Sequence, residues 1–124
     1  MDERKSVGRL GEDLAAGYLE ELGWRIVERN WRFSRVGEID IVAVEPNRGR
    51  GTLVFCEVKA KTGSGFGGPL EAVTHSKLVR LHRLASAWMA THPMGYDTVR
   101  IDVIGVMAPR EGEPTIEHAK AVSL

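Results

Sequence analysis

Two acidic residues and a lysine lie in neighbouring apolar, β-branched segments of the sequence. Asp40 falls in residues 37–44, whereas Glu57 and Lys59 fall in residues 52–61. Alternate residues of a strand share a face, so Glu57 and Lys59 would lie about 7 Å apart and could converge on one small ligand. Two carboxylates on adjacent strands suit a hard divalent cation such as Mg²⁺. A lysine beside them would bind a phosphate or orient a water for attack.

The same residues also allow a purely structural interpretation. Glu57 and Lys59 could form a salt bridge on a solvated face, as charged residues on strands commonly do. Glu12 lies in a predicted helix at the edge of its apolar stripe, close in angle to Leu19. It could therefore lean over the sheet toward the carboxylates, or it could be an ordinary glutamate at the helix boundary.

The elements that must position these residues follow from hydropathy and turn chemistry. Val7, Leu10, Leu14, Tyr18 and Leu22 recur at helical spacing and predict a helix over residues 7–22 with these side chains buried. A second helix is expected from an N-cap at Thr74 to about residue 91, and strands are expected over 24–33, 37–44, 52–61, 99–106 and, more weakly, 115–122. In the second strand, alternation places Glu38 and Asp40 on one face and Ile39 and Ile41 on the other. Residues 45–51 have hairpin chemistry, and residues 63–69 form a glycine-rich loop.

Length and composition indicate one globular domain spanning residues 1–124, and the order of the predicted elements makes it an α/β domain. The formal net charge is zero, but residues 48–83 carry +5, a basic middle that permits an anionic partner. The single cysteine excludes an intramolecular disulfide and a thiolate zinc cage. The charged first residues and the lack of a run of about 20 apolar residues favour a cytoplasmic protein without a membrane span.

The order and spacing of these motifs carry a family resemblance. A helix with Glu12, then the segment GEID ending at Asp40, then Glu57-Val58-Lys59, resembles the PD-(D/E)xK nuclease superfamily, whose core is αβββαβ. Residues 7–106 are more closely similar to the bacterial YraN family (UPF0102), which is related to archaeal Holliday-junction resolvases. The segments that carry this similarity are residues 8–12, residues 55–62 (FCEVKAKT), Phe66-Gly67 with Pro69, Glu71-Ala72-Val73, Lys77 and Arg80-Leu81.

The resemblance implies a restriction-endonuclease-like fold and a role for each residue of the motifs. Asp40 and Glu57 would hold Mg²⁺ or Mn²⁺ with the backbone carbonyl of Val58, and Glu12 would complete the site directly or through a water. Lys59 would activate or position the attacking water. The expected activity is a nuclease acting on DNA, by analogy branched or irregular DNA. Because resolvases cut two strands, a homodimer is expected as well.

Basic residues supply candidate contacts to nucleic acid. Lys77 falls in the first turn of the second helix and within its apolar angular range, where it would contact a phosphate or extend its stem along the core. Lys61 shares the strand face of the acid–lysine pair and is the next phosphate ligand expected. Arg48, Arg50 and Arg80 could extend a surface that follows the backbone.

Other features favour structural roles. Residues 63–68 spell G-x-G-x-x-G, but no acid ends a parallel strand about twenty residues later, so no nucleotide cofactor is expected. Cys56 and the three tryptophans are assigned to the core or an interface, the histidines to the surface or helix ends, and Asp102 is left unassigned. The alternative to a nuclease is a non-catalytic nucleic-acid-binding or adaptor protein on the same fold, whose binding would survive loss of the carboxylates.

Overall fold

A computed structural model describes residues 3–62, 71 and 73–122, with side chains from residue 7 onward. Its elements are α1 (Glu3–Glu21), β1 (Arg25–Phe33), β2 (Gly37–Glu45), β3 (Thr52–Lys61), α2 (His75–Thr91), β4 (Thr98–Met107) and β5 (Thr115–Ala119). The predicted α/β class and αβββαβ order are confirmed. The glycine-rich loop and its G-x-G-x-x-G motif at 63–68 lie outside the described residues. Among the helices that are described, none is long and apolar enough to cross a membrane.

The five strands form one mixed sheet in the order β1-β2-β3-β4-β5. β3 and β4 are parallel and are connected through α2, whereas the other neighbours are antiparallel. The predicted hairpin between β2 and β3 is confirmed. Its turn is tightened by Asn47, whose side-chain oxygen accepts hydrogen bonds from the amides of Gly49 and Gly51 at 2.6 and 3.0 Å.

Each face of the sheet is covered by one helix, which creates two cores. The α2 face buries side chains including Val42, Phe55, Leu81, Leu84 and Trp88. The α1 face buries others, including Ala15, Leu19, Trp24, Ile41 and Cys56. The core positions predicted for Cys56, Trp24 and Trp88 are confirmed, and burial raises the pKa of the Cys56 thiol well above its usual value.

Helix α1 approaches the sheet through small residues, which corrects the predicted apolar stripe. A Cβ atom added to Gly11 would lie 2.5 Å from Cβ of Ala60 in β3. Leu10 and Leu22, both predicted to be buried, are 47% and 49% exposed. The close contact at Gly11 leaves no room for a larger side chain there, and the buried face of α1 is instead formed by Ala15, Ala16 and Leu19.

The sheet splits between β2 and β3, and this split corrects the predicted strand faces. Their ladder runs from Glu45↔Thr52 to Ile41↔Cys56 and stops, although β2 begins at Gly37 and β3 continues to Lys61. Beyond the split, Ile39 packs in the α2 core while Ile41 packs in the α1 core. The prediction that Ile39 and Ile41 share a face is therefore wrong, since a strand freed from one neighbour can twist away from regular alternation.

Candidate active site

Asp40 lies at the split, where its side chain, and not the backbone of β2, accepts a hydrogen bond from β3. The backbone N–H of Val58 donates to Oδ2 of Asp40 at 2.8 Å. In a strand the N–H and C=O of one residue point to the same neighbouring strand, so the Val58 carbonyl also faces the gap. A carboxylate and a backbone carbonyl are thereby brought to the same opening in the sheet.

The environment of Asp40 disfavours its charge. Burial and, secondarily, the negative charge of Glu57 raise the pKa of Asp40 to about 7, although the hydrogen bond from Val58 acts in the opposite direction. Glu12 and Glu38 add smaller contributions of the same sign as Glu57. A carboxyl with this pKa is partly protonated at neutral pH, and a cation placed beside it would favour the ionised form.

Glu57 and Lys59 form an ion pair on the α2 side of β3. Lys59 Nζ lies 3.2 Å from Oε1 of Glu57, whose side chain is only 8% exposed. Helix α2 brings Lys77 to the same place, where direct contact with the side chain of Lys59 and its like charge lower the pKa of Lys77. One acid and two cations thus converge here.

Arg80 lies one turn further along α2 and packs against the start of β2. Its Cδ and Nε atoms lie 3.2 and 3.5 Å from the position that a Cβ atom on Gly37 would take. The Nε atom is buried, and no described residue accepts a hydrogen bond from it. The structure thus places both Lys77 and Arg80 on α2 beside the split, with Arg80 more deeply packed than a surface residue would be.

Glu12 reaches the split from the α1 side. Its side chain is 14% exposed, and Arg29 of β1 lies 3.4 Å from it and 2.6 Å from Asp13. A cavity of about 430 Å³ is lined by Glu12, Arg29 and Asp40, together with Gly8, Arg9, Asn30 and Val58. The structure therefore places Glu12 and Asp40 in one cavity, with Glu57 and Lys59 on the α2 side of the split.

Arg29 is a site residue that sequence reasoning missed. Its place in the site depends on the pairing of β1 with β2, which sets Arg29 opposite Ile41, the neighbour of Asp40. The sequence pattern alone does not specify this pairing. A shift in register between Ile26 and Glu28 precedes this pairing. Hydrogen bonding to Asp13, opposed by burial, raises the pKa of Arg29.

The other predicted nucleic-acid contacts are not all near the site. Lys61 lines a second cavity beside Val58. Arg48 and Arg50 lie in the β2–β3 hairpin, beyond Thr52 at the opposite end of β3, and Thr52 is itself about 17 Å from Glu57 at the usual rise per residue. Arg50 is engaged there by Asp97, which accepts from its backbone N–H at 2.9 Å. These two arginines therefore do not extend the site directly.

The donor set fits a hard divalent cation that keeps most of its own waters. Within residues 3–62, 71 and 73–122, no three His, Cys, Asp or Glu side chains are gathered as a metal-binding group. Asp40 and Glu57, electrostatically coupled, can offer carboxylate oxygens, and Val58 can offer a carbonyl oxygen. Mg²⁺ is bound by such sparse oxygen sets and retains several waters, so the residues present fit this ion.

Asp102, left unassigned by sequence, anchors a buried network away from this site. It is fully buried, and it accepts hydrogen bonds from Arg100 at 2.8 and 3.0 Å and from the Ala121 amide at 3.1 Å. His118 Nε2 lies 2.8 Å from Asp102, and the hydroxyl of Tyr18 lies 2.9 Å from His118 Nδ1. The predicted surface or helix-end position of His118 is wrong, since its side chain is 7% exposed.

These observations define an α/β protein with an acid–acid–lysine group at a split in a mixed sheet. The model of the family described as "Uncharacterised protein family UPF0102" matches residues 11–106, and the chain belongs to this family. A UPF0102 protein from Streptomyces griseus is 51% identical over 126 residues, covering 99% of this chain and 100% of the relative. Another from Arthrobacter sp. (strain FB24) is 48% identical over 122 residues, covering 98% of this chain and 99% of the relative. The predicted membership of the YraN (UPF0102) family is thereby confirmed.

Proposed function

We propose that this protein is a metal-dependent nuclease that hydrolyses phosphodiester bonds in DNA, with Asp40, Glu57 and Lys59 at its centre. The observation that carries the proposal is the Asp40 carboxyl at the split, with a pKa raised to about 7 by burial and by Glu57. Perturbed carboxyls paired with a second charged group in a cleft are typical of functional sites. The Glu57–Lys59 pair at 3.2 Å adds a cation beside them.

The proposed roles follow from where the side chains lie. Asp40, Glu57 and the Val58 carbonyl would hold Mg²⁺ or Mn²⁺, with Glu12 contributing from the α1 side directly or through a water. The bound ion would supply Lewis-acid stabilisation of the charge that develops on the phosphate. Glu57 would fix the ammonium of Lys59, which would orient the attacking water toward phosphorus. The water would form the new P–O bond as the bond to the leaving oxygen breaks; it would lose one proton to solvent, and the leaving oxygen would take one proton from solvent. Lys77 would balance the charge on a phosphate oxygen.

The finer parts of the proposal rest on resemblance. The αβββαβ order and the motifs around Asp40, Glu57 and Lys59 support placing the chain in the PD-(D/E)xK superfamily, near the archaeal Holliday-junction resolvases. By the same analogy the substrate would be branched or irregular DNA, the active form a homodimer and the compartment the cytoplasm.

A second function is favoured by two observations. Asp40 already accepts a hydrogen bond from the Val58 backbone, and the described residues hold no group of three side-chain ligands. A non-catalytic nucleic-acid-binding or adaptor protein would use the lysines and arginines without a metal. Its binding to DNA would depend on salt and would not require the carboxylates.

Cleavage of a panel of labelled nucleic acids separates the two functions. Linear, flap, four-way-junction and single-stranded DNA, with single-stranded RNA, are incubated with Mg²⁺ or Mn²⁺ and either wild type, Asp40→Asn or Lys59→Gln. Glu20→Gln, at an exposed position of α1, is the matched control. We expect cleavage that requires metal, is lost in the first two variants and is retained in the control. Binding without cleavage that is unchanged by Asp40→Asn, whether or not Lys59→Gln weakens it, would instead support the adaptor.

A further inference from the structure

Two cavities that differ in charge meet at the split. The cavity with Asp40 and Glu12 shares Gly8 and Val58 with a second cavity of about 570 Å³. The two cavities are therefore adjacent, and they are separated by Val58 of β3 and Gly8 in the N-terminal half of α1. Both have the size of ordinary small-ligand sites, which run from about 300 to 1,000 Å³.

Among the residues whose side chains the structure describes, the second cavity is lined by cations and by no acid. Lys59, Lys61 and Arg110 contribute to its walls, and its remaining lining residues are glycine, alanine, valine and threonine. The first cavity, by contrast, contains two carboxyl side chains together with Arg9 and Arg29, so its acidic and basic side chains balance. The surplus of basic side chains in the second cavity attracts an anion.

The β4–β5 connection delivers Arg110 to this position. Lys61, the last residue of β3, pairs with Met107 at the end of β4. The amide of Ala108 then donates to the carbonyl of Lys61 at 2.9 Å, which fixes the start of the connection against the end of β3. Arg110 follows two residues later, so its place beside Lys61 is determined by the parallel pairing of β3 and β4.

We propose that the second cavity binds a backbone phosphate of a nucleic-acid strand, next to the phosphodiester held at Asp40 and Glu57, with Arg110 and Lys61 as its ligands. The inference rests on the proposed function and extends it to the path of the substrate strand. A guanidinium fork and an ammonium are the donors that bind phosphate oxygens, and phosphate contacts set the register of a strand on a protein. Lys59, which lines this cavity and pairs with Glu57, connects the two phosphates.

A scan of neutral phosphates tests this subsite. A fluorescein-labelled 12-nucleotide DNA strand is prepared with one methylphosphonate at each position in turn, and its binding is measured by anisotropy without metal. Wild type, Arg110→Gln and Arg83→Gln are compared, because Arg83 is exposed on α2 and does not line either cavity. We expect Arg110→Gln to weaken binding of the unmodified strand about tenfold and Arg83→Gln to change it little.

The decisive result is whether the loss of affinity caused by Arg110→Gln and the loss caused by one methylphosphonate depend on each other. One methylphosphonate position should weaken binding to wild type and to Arg83→Gln by about tenfold, yet have little further effect on Arg110→Gln. Equal losses in all three proteins, or wild-type affinity of Arg110→Gln, would overturn the subsite. This readout is independent of cleavage. The coupling without any cleavage would leave the subsite and reject the nuclease, whereas cleavage without the coupling would reject the subsite alone.

Discussion

Replacing Asp40 by asparagine is expected to stabilise the protein at alkaline pH. The pKa of Asp40 is raised from 3.8 to about 7 on folding, first by burial and then by Glu57. Folding therefore favours the protonated form, and this contribution to stability is fully present only below pH 3.8. It is lost as the pH rises through the folded-state pKa of about 7. Asparagine has no charge to bury, and its side-chain oxygen can still accept the hydrogen bond from the Val58 amide.

The magnitude follows from the difference between the two pKa values. A change from 3.8 to about 7 corresponds to about 4 kcal/mol of unfolding free energy, reached in full above pH 7. Between pH 5 and pH 8, the advantage of the asparagine variant over wild type should grow by about 2–3 kcal/mol. This is a large share of the stability of an ordinary domain, so it is readily measured.

Urea denaturation with EDTA present, followed by tryptophan fluorescence at pH 5, 6, 7 and 8, measures this difference. The control is Glu20→Gln, which removes a carboxylate at an exposed position of α1, and its stability relative to wild type should vary little with pH. An asparagine variant whose advantage over wild type is the same at pH 5 and pH 8 would refute the reasoning. So would a variant that is less stable than wild type at pH 8.

Three further predictions concern the metal, the helix contact and the buried network. Millimolar Mg²⁺ at pH 8 should raise the melting temperature of wild type but not of Glu57→Gln, as measured by calorimetry; an equal rise would contradict the carboxylate pair as ligand. Gly11→Ala should lower the free energy of unfolding by about 1–3 kcal/mol, because its Cβ would meet the sheet at 2.5 Å. Gly17→Ala, at a position with open space around it, should raise the free energy of unfolding by up to about 1 kcal/mol. Urea denaturation measures both variants, and equal stabilities of Gly11→Ala and Gly17→Ala would refute the close contact of Gly11 with β3. Asp102→Asn should cost about 3 kcal/mol or more and His118→Gln about 1–2 kcal/mol in the same assay, and wild-type stability of either variant would disprove the network.

The order and bounds of the elements were largely predictable because local chemistry marks them. Strand β3 spans Thr52–Lys61 as predicted, bounded by a glycine turn on one side. The hydroxyl of Thr74 accepts from the backbone of Lys77, as an N-cap should, and α2 starts at His75. The longer range of α1, which begins at Glu3 rather than near Val7, was missed because its first turn has no apolar periodicity.

The site was only partly predictable, because its geometry depends on contacts between distant segments. The motif residues Asp40 and Glu57 could be named from spacing, but the split that opens the sheet between them has no signature in the sequence. Arg29 reaches Glu12 through a register shift in β1 and a positive φ of 55° at Asn30, which a hydropathy pattern does not encode. Gly11 was predicted only as part of a motif, and its steric role became visible once α1 was placed on β3.

The split in the sheet explains both why the charged form of Asp40 destabilises the fold and why Asp40 could bind a metal ion. If β2 and β3 stayed paired, the Val58 amide and carbonyl would be engaged in the ladder, and no backbone group would face a ligand at this point. The split frees both groups, and the amide then takes Oδ2 of Asp40 as its acceptor. Glu57 adds a second carboxyl whose charge further raises the pKa of Asp40. A divalent cation would relieve the same repulsion, which costs folding free energy at neutral pH. Metal binding should therefore become stronger as the pH rises through about 7, because Asp40 must lose its proton to bind the ion.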